Sequence, residues 1–186
     1  MILFIDACAR EASRTRELAQ ALLNKLGSNY ESLNLYDAGI CSLDEEMLNK
    51  RTKLCDENRY DDSFFNLAKQ FASADIIVIA APFWDLSFPS ILKCYIENIS
   101  VTGITFKYSE SGIPIGLCKA KELYYVTTAG GTIFDSSFGY GYIEALSKQM
   151  FGIKKCALIK AENLDIIGNN PDEIIDRVKK DIIKLY

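Results

Sequence analysis

Three short stretches of this 186-residue sequence concentrate side chains suited to holding an anion and a flat ring. The stretch Asp6-Ala7-Cys8-Ala9-Arg10-Glu11-Ala12-Ser13-Arg14-Thr15 carries two hydroxyls, Ser13 and Thr15, with Arg10, Arg14 and Arg16 close by. Hydroxyl donors at a helix start, beside free N–H groups and the positive end of the helix dipole, attract a phosphate. Ser13 equally suits a plain helix N-cap among solvated arginines, and spacing alone does not choose. The stretch Ala81-Pro82-Phe83-Trp84-Asp85-Leu86-Ser87-Phe88-Pro89 holds the only tryptophan, two phenylalanines and two of the four prolines. Large aromatics in a loop suit a flat ring system, or else cover a sheet end as ordinary core. In Thr127-Thr128-Ala129-Gly130-Gly131-Thr132 the paired glycines let backbone amides approach a ligand closely, or simply make a turn.

Other chemistries are excluded by what is missing. The chain has no histidine, which removes Ser-His-Asp and Cys-His triads, imidazole-ligated zinc and histidine acid–base catalysis. Catalysis must then rest on carboxylates, Lys, Tyr, backbone amides or a bound cofactor. The six cysteines, Cys8, Cys41, Cys55, Cys94, Cys118 and Cys156, form no CxxC pair, so neither zinc ribbons nor clusters are expected and no metal site is assigned. Scattered thiols without a signal peptide fit a reduced, cytoplasmic protein. Neither GxGxxG nor GxxxxGK[ST] occurs, so dinucleotide and P-loop fingerprints are both lacking. A net charge of −4 gives nucleic-acid binding no electrostatic support. Met1 to Asp6 is too short and too soon charged for a membrane span.

Short apolar runs alternating with helical stretches must position these loops. Apolar runs at Ile2–Ile5, Glu31–Leu35, Ile76–Ala81, Glu122–Thr127 and Cys156–Lys160 read as strands. Of these, IIVIAA is uninterrupted and β-branched, as a central parallel strand covered on both faces requires. Helical spacing marks Ser13–Leu26, stopped by Gly27, then Asp62–Ser73, Pro89 to about Ser100, residues 138–151 and Pro171–Leu185; residues 37–60 read as a loop with one short helix. The length, an apolar fraction of 49% and the absence of any linker predict a single domain over residues 1–186. Five βα units predict an α/β, doubly wound, mainly parallel sheet, with ligands at the carboxyl ends of its strands. All three chemical loops fall on that edge.

The sequence resembles the FMN-dependent NADH-azoreductases and the related NAD(P)H quinone reductases. The likeness is carried by AAPFWDLSFPSILKCYIENI, TGITFKYSESG, VTTAGG and SRT at 13–15. This resemblance implies a flavodoxin-like fold, a five-stranded parallel sheet in the order 2-1-3-4-5 with helices on both faces. It implies that Ser13, Arg14 and Thr15 hold an FMN phosphate. Pro82, Phe83, Trp84, Asp85 and Leu86 would line the isoalloxazine, and Thr128, Ala129, Gly130 and Gly131 its pyrimidine side. Tyr108 would sit in a substrate pocket completed by the second subunit of a homodimer. The implied reaction is ping-pong: NADH or NADPH in, two electrons out to a quinone or azo compound, with FMN carrying the hydride. Alternatives are a general FMN reductase and a flavodoxin-like electron carrier. The sequence departs from the family pattern at Ala7, where a serine is common, at Ala129, where an arginine is common, and at Asp85, where asparagine is common. The apolar helix Pro89–Ser100, with Ile91, Leu92, Tyr95 and Ile99, is the expected dimer surface.

Overall fold

The computed structural model describes residues 1–27 and 29–185. Its centre is a five-stranded, fully parallel sheet of β1 (Ile2–Asp6), β2 (Tyr30–Asn34), β3 (Ile76–Ala80), β6 (Glu122–Thr128) and β7 (Lys155–Ala161), ordered β2-β1-β3-β6-β7. A short antiparallel hairpin, β4 (Phe106–Tyr108) and β5 (Pro114–Gly116), stands apart from it. Counting only the sheet's own strands, the order is the expected 2-1-3-4-5. Strand β3 pairs on both sides, Ile76 opposite Ile2 and Glu122, which is why its apolar run is continuous.

Side chains on the central strands alternate between two separate cores, as the period-two geometry of a strand demands. Leu3, Ile5, Ile77, Ile79, Leu123 and Tyr125 pack against α3 (Asn66–Ser73) and α4 (Ser90–Ile99). Ile2, Phe4, Val78, Ala80, Tyr124 and Val126 pack against α1 (Arg14–Leu26) and α6 (Pro171–Leu185). Helix α2 (Glu45–Asp56) reaches the first of these cores with the buried Leu54 and the partly buried Cys55. In α1 the buried Leu18, Leu22 and Leu23 form one stripe, and Gly27 ends the helix with its N–H on the Leu23 carbonyl. No described helix is long and apolar enough to cross a membrane.

Three elements differ from the sequence reading. The expected dimer helix faces inward: Leu92, Tyr95 and Ile99 of α4 are at most 1% exposed against their own sheet, and only Ile91 is partly open. Helical periodicity marks an apolar stripe but not what covers it. The hairpin β4–β5 has strands of three residues each, too short for alternation to show. Residues 138–151 are not one regular helix: α5 (Tyr142–Leu146) is flanked by wide π-type turns, Ser137–Gly141 and Ser147–Phe151. The first of these lets Gly141 donate to the Ser136 carbonyl, five residues back.

Candidate functional site

Because all five sheet strands run the same way, the loops after β1, β3, β6 and β7 meet at one edge. They enclose a cavity of 1190 Å³. Ser13, Arg14, Thr15, Pro82, Phe83, Trp84, Thr128, Ala129 and Gly130 all line it; Asp85, Leu86, Gly131 and Tyr108 do not.

The first loop is held by hydrogen bonds of its own. Arg16 lies under it, bonding the buried Asp6 through Nε, the Arg10 and Glu11 carbonyls at 2.7 and 2.6 Å through Nη1, and the Cys8 carbonyl at 2.9 Å through Nη2. Asp6 in turn accepts the Cys8 N–H at 2.9 Å. Burial works against the Arg16 charge, but the bond and attraction to Asp6 raise its pKa above the ordinary arginine value. Arg16 is therefore a strut of the loop rather than an open cation. Cys8 is no nucleophile, since burial pushes its thiol up to about 12.

At the start of α1, Ser13 Oγ accepts the Arg16 N–H at 3.3 Å. The N-cap reading is therefore correct, and the same hydroxyl lies within hydrogen-bonding reach of the buried Cys8 thiol. The N–H groups of Arg14 and Thr15 have no acceptor among the described residues. Thr15 is 1% exposed and its Oγ1 lies 2.6 Å from Thr128 Oγ1. That bond ties the first loop to the third across 113 positions.

The second loop leaves the sheet with Phe83 N–H on the Thr128 carbonyl at 3.0 Å. Trp84 and Ser87 then exchange backbone hydrogen bonds of 3.1 and 2.7 Å around Asp85 and Leu86, whose φ values are 49° and 66°. Two left-handed residues in succession match a type I′ turn, normally the place of Asn and Gly. The turn exposes Trp84, Asp85 and Leu86 and leaves the last two N–H groups without an acceptor among the described residues. Ser87 braces it by donating to the Phe138 carbonyl at 2.7 Å.

In the third loop a Cβ at Gly130 would meet Asp165 Oδ2 at 2.2 Å, so that exposed carboxylate would have to turn aside, whereas one at Gly131 would meet open space. Tyr108 projects from the hairpin, 55% exposed, edge-on to Phe106. Sequence reasoning missed Leu164 and Asp165, which close the cavity from the loop after β7. The rule that selected the other loops applies to this one as well, and would have found them. It also missed Gln20, Asn24 and Lys179, which line the far end; Lys179 reaches it from α6, bonded to Glu17 at 2.5 Å. No local pattern marks that approach.

A family described as Flavodoxin-like fold matches residues 1–185. The chain is 37% identical to the FMN-dependent NADH:quinone oxidoreductase 2 of Clostridium acetobutylicum, over 94% of this chain and 92% of that protein. It is also 37% identical to the FMN-dependent NADH:quinone oxidoreductase of Clostridium perfringens, covering 98% of this chain and 94% of that one. Among solved structures, an azoreductase from Bacillus anthracis superposes with a TM-score of 0.84 at 23% identity, over 98% and 96% of the two chains. A FMN-dependent NADH-azoreductase from the same species, in complex with FMN, gives 0.80 at 22%, over 98% and 95%. At those identities the structural likeness is one of fold.

Proposed function

We propose, for a chain that belongs to the flavodoxin-like fold family together with the FMN-dependent NADH:quinone oxidoreductases, that it is an FMN-dependent NAD(P)H oxidoreductase of quinones or azo compounds. One observation carries the reading. A single cavity joins a helix start rich in unused donors to a loop bearing an accessible tryptophan and to a glycine that admits close approach. The donors fit a phosphate, and 1190 Å³ exceeds the few hundred that a small-molecule pocket needs at minimum.

In this reading Ser13 Oγ–H, the Arg14 and Thr15 amides and the Arg14 guanidinium hold the phosphate of FMN. Thr15 acts mainly through its backbone, because its hydroxyl is shared with Thr128. Pro82, Phe83 and Trp84 form the wall beside the ring. The free amides of Asp85 and Leu86, with those of Gly130 and Gly131, are the donors available to its polar edge, and Thr128 and Ala129 set the spacing between the loops. Bound there, FMN would accept a hydride from NADH or NADPH and hand two electrons to the acceptor. Since the cofactor supplies the redox chemistry, this chain's part is to position, to shield and to donate hydrogen bonds to developing negative charge. No side-chain base is needed, in keeping with a sequence that has no histidine.

The whole chain serves as one FMN-binding domain, works in the cytoplasm and pairs with a second copy. The pairing surface in this reading is the apolar rim of the site, where Trp84, Leu86, Phe134 and Phe138 are 43 to 94% exposed, with Tyr108 entering the shared acceptor pocket. The competing electron carrier would bind the same flavin without turnover. Purified protein should be yellow, lose its flavin absorbance within seconds of anaerobic NADH, and regain it on adding a quinone. Bound flavin that stays oxidised under excess NADH and NADPH would refute the reductase and favour the carrier.

A further inference from the structure

Three carboxylate residues, Glu11, Glu17 and Asp165, line the cavity that offers donors to an anion, and Asp165 is the one that faces Arg14. Asp165 Oδ1 lies 4.0 Å from Arg14 Nη1, and both side chains line the cavity. Its position is imposed by the backbone. Asn163, Leu164 and Asp165 donate their N–H groups to the carbonyls of Gly131, Ala129 and Gly130 at 3.0, 3.2 and 2.9 Å. Thr132 Oγ1 adds a bond to Asn163 Oδ1 at 2.7 Å. The segment after β7 is thus laced to the third loop, and the Asp165 main chain cannot withdraw without breaking that lacing. Its carboxylate occupies the space over Gly130 that a Cβ would fill.

We propose that Asp165 is a specificity-determining residue that competes with the phosphate of the flavin for Arg14 and so narrows the site's preference for FMN over riboflavin. This rests on the proposed flavin-binding function. With the cavity free, Arg14 has a counter-ion in Asp165; a bound phosphate must take Arg14 from it and bear the proximity of a like charge. Two other cations that line the cavity are already committed, Arg16 to Asp6 and Lys179 to Glu17. Arg10 lines it as well, but Arg14 is the lining arginine with the Asp165 carboxylate at 4.0 Å, so it is the cation contested. The pair is solvent-exposed, 46% and 77% at its two side chains, so screening keeps its effect modest.

The test is flavin binding, followed by fluorescence quenching with the full-length protein freed of flavin by dialysis. In Asp165→Asn the Kd for FMN should fall about three- to fivefold, the upper size expected of an exposed charge contact, while riboflavin shifts less than about 1.5-fold. Asp165→Ser, which also removes the charge, should move FMN in the same direction. In an Arg14→Gln background the gain should shrink markedly. The proposal is overturned by FMN affinity that is unchanged or weaker, by equal gains for both flavins, or by a full-sized gain without Arg14. Wild-type protein that binds neither flavin would instead overturn the function on which the proposal rests.

Discussion

Replacing Arg16 by methionine should strip the first loop of its strut, and the structure lets the cost be worked out. Asp6 is 5% exposed at its side chain and Arg16 28%. Removing one partner of a buried ion pair costs about 3–5 kcal/mol, because the other charge is left desolvated. Partial access of water to the Arg16 side reduces this to about 2–3 kcal/mol. The carbonyls of Arg10 and Glu11 sit on exposed residues and can bond water instead, but that of Cys8, only 2% exposed, cannot readily. One stranded buried acceptor adds about 1 kcal/mol. The sum is about 3–4 kcal/mol. A chain of 186 residues has an unfolding entropy of about 390 cal/mol/K, so Tm should fall by about 8–10 °C in calorimetry at neutral pH. The double variant Asp6→Asn, Arg16→Met removes both charges and should be more stable than Arg16→Met alone. A Tm for Arg16→Met within about 2 °C of wild type, or a double variant less stable than the single, would refute the strut.

Ser13→Ala should lower stability by about 1 kcal/mol through the lost cap and weaken FMN about tenfold through the lost donor, with riboflavin as the unaffected control. Thr15→Val should instead act on the fold, costing about 1–2 kcal/mol because the Thr128 hydroxyl loses its buried partner; chemical denaturation of the variant reads this directly. Bonds from Tyr124 and from Lys155 hold the Glu122 carboxyl below its ordinary range. A depressed folded pKa stabilises above the unfolded value and is lost as pH falls through the folded one. Glu122→Gln should therefore flatten the decline of Tm on the acid side and leave it little changed in slope near neutrality. Light scattering should give twice the mass of the chain at micromolar concentration, and Leu86→Asp with Phe134→Asp should return it to one; a monomeric wild type would refute pairing through the rim.

The strands and the site's edge were legible in the sequence for a local reason. A run such as Ile76–Ala80 has no polar residue because both faces of a central strand are covered, and alternation with helical stretches leaves few topologies open. Topology then carries Ser13–Thr15, Pro82–Trp84 and Thr128–Gly130 to one end without any knowledge of side-chain contacts. Local patterns could not show which apolar face is covered, so α4 read as a dimer surface until Leu92, Tyr95 and Ile99 were seen against their own sheet. Nor could they announce a turn at Asp85-Leu86, where neither residue is a glycine and the left-handed backbone is held by the Trp84–Ser87 bonds.

What the sequence by itself determined is the kind of fold and the set of backbone segments that meet at its edge, since both follow from periodicities of a few residues. Tertiary structure alone decided how each side chain there is used. Arg16 is a strut because Asp6 faces it, Thr15 is a cross-link because Thr128 lies 2.6 Å away, and Asp165 stands beside Arg14 because three backbone bonds lace its loop to the next. A hydroxyl or a guanidinium has the same letter whether it is free or engaged, and the difference lies in partners up to 151 positions distant along the chain. Hydrogen bonds and ion pairs act over a few ångströms of space, and only the folded chain sets those distances.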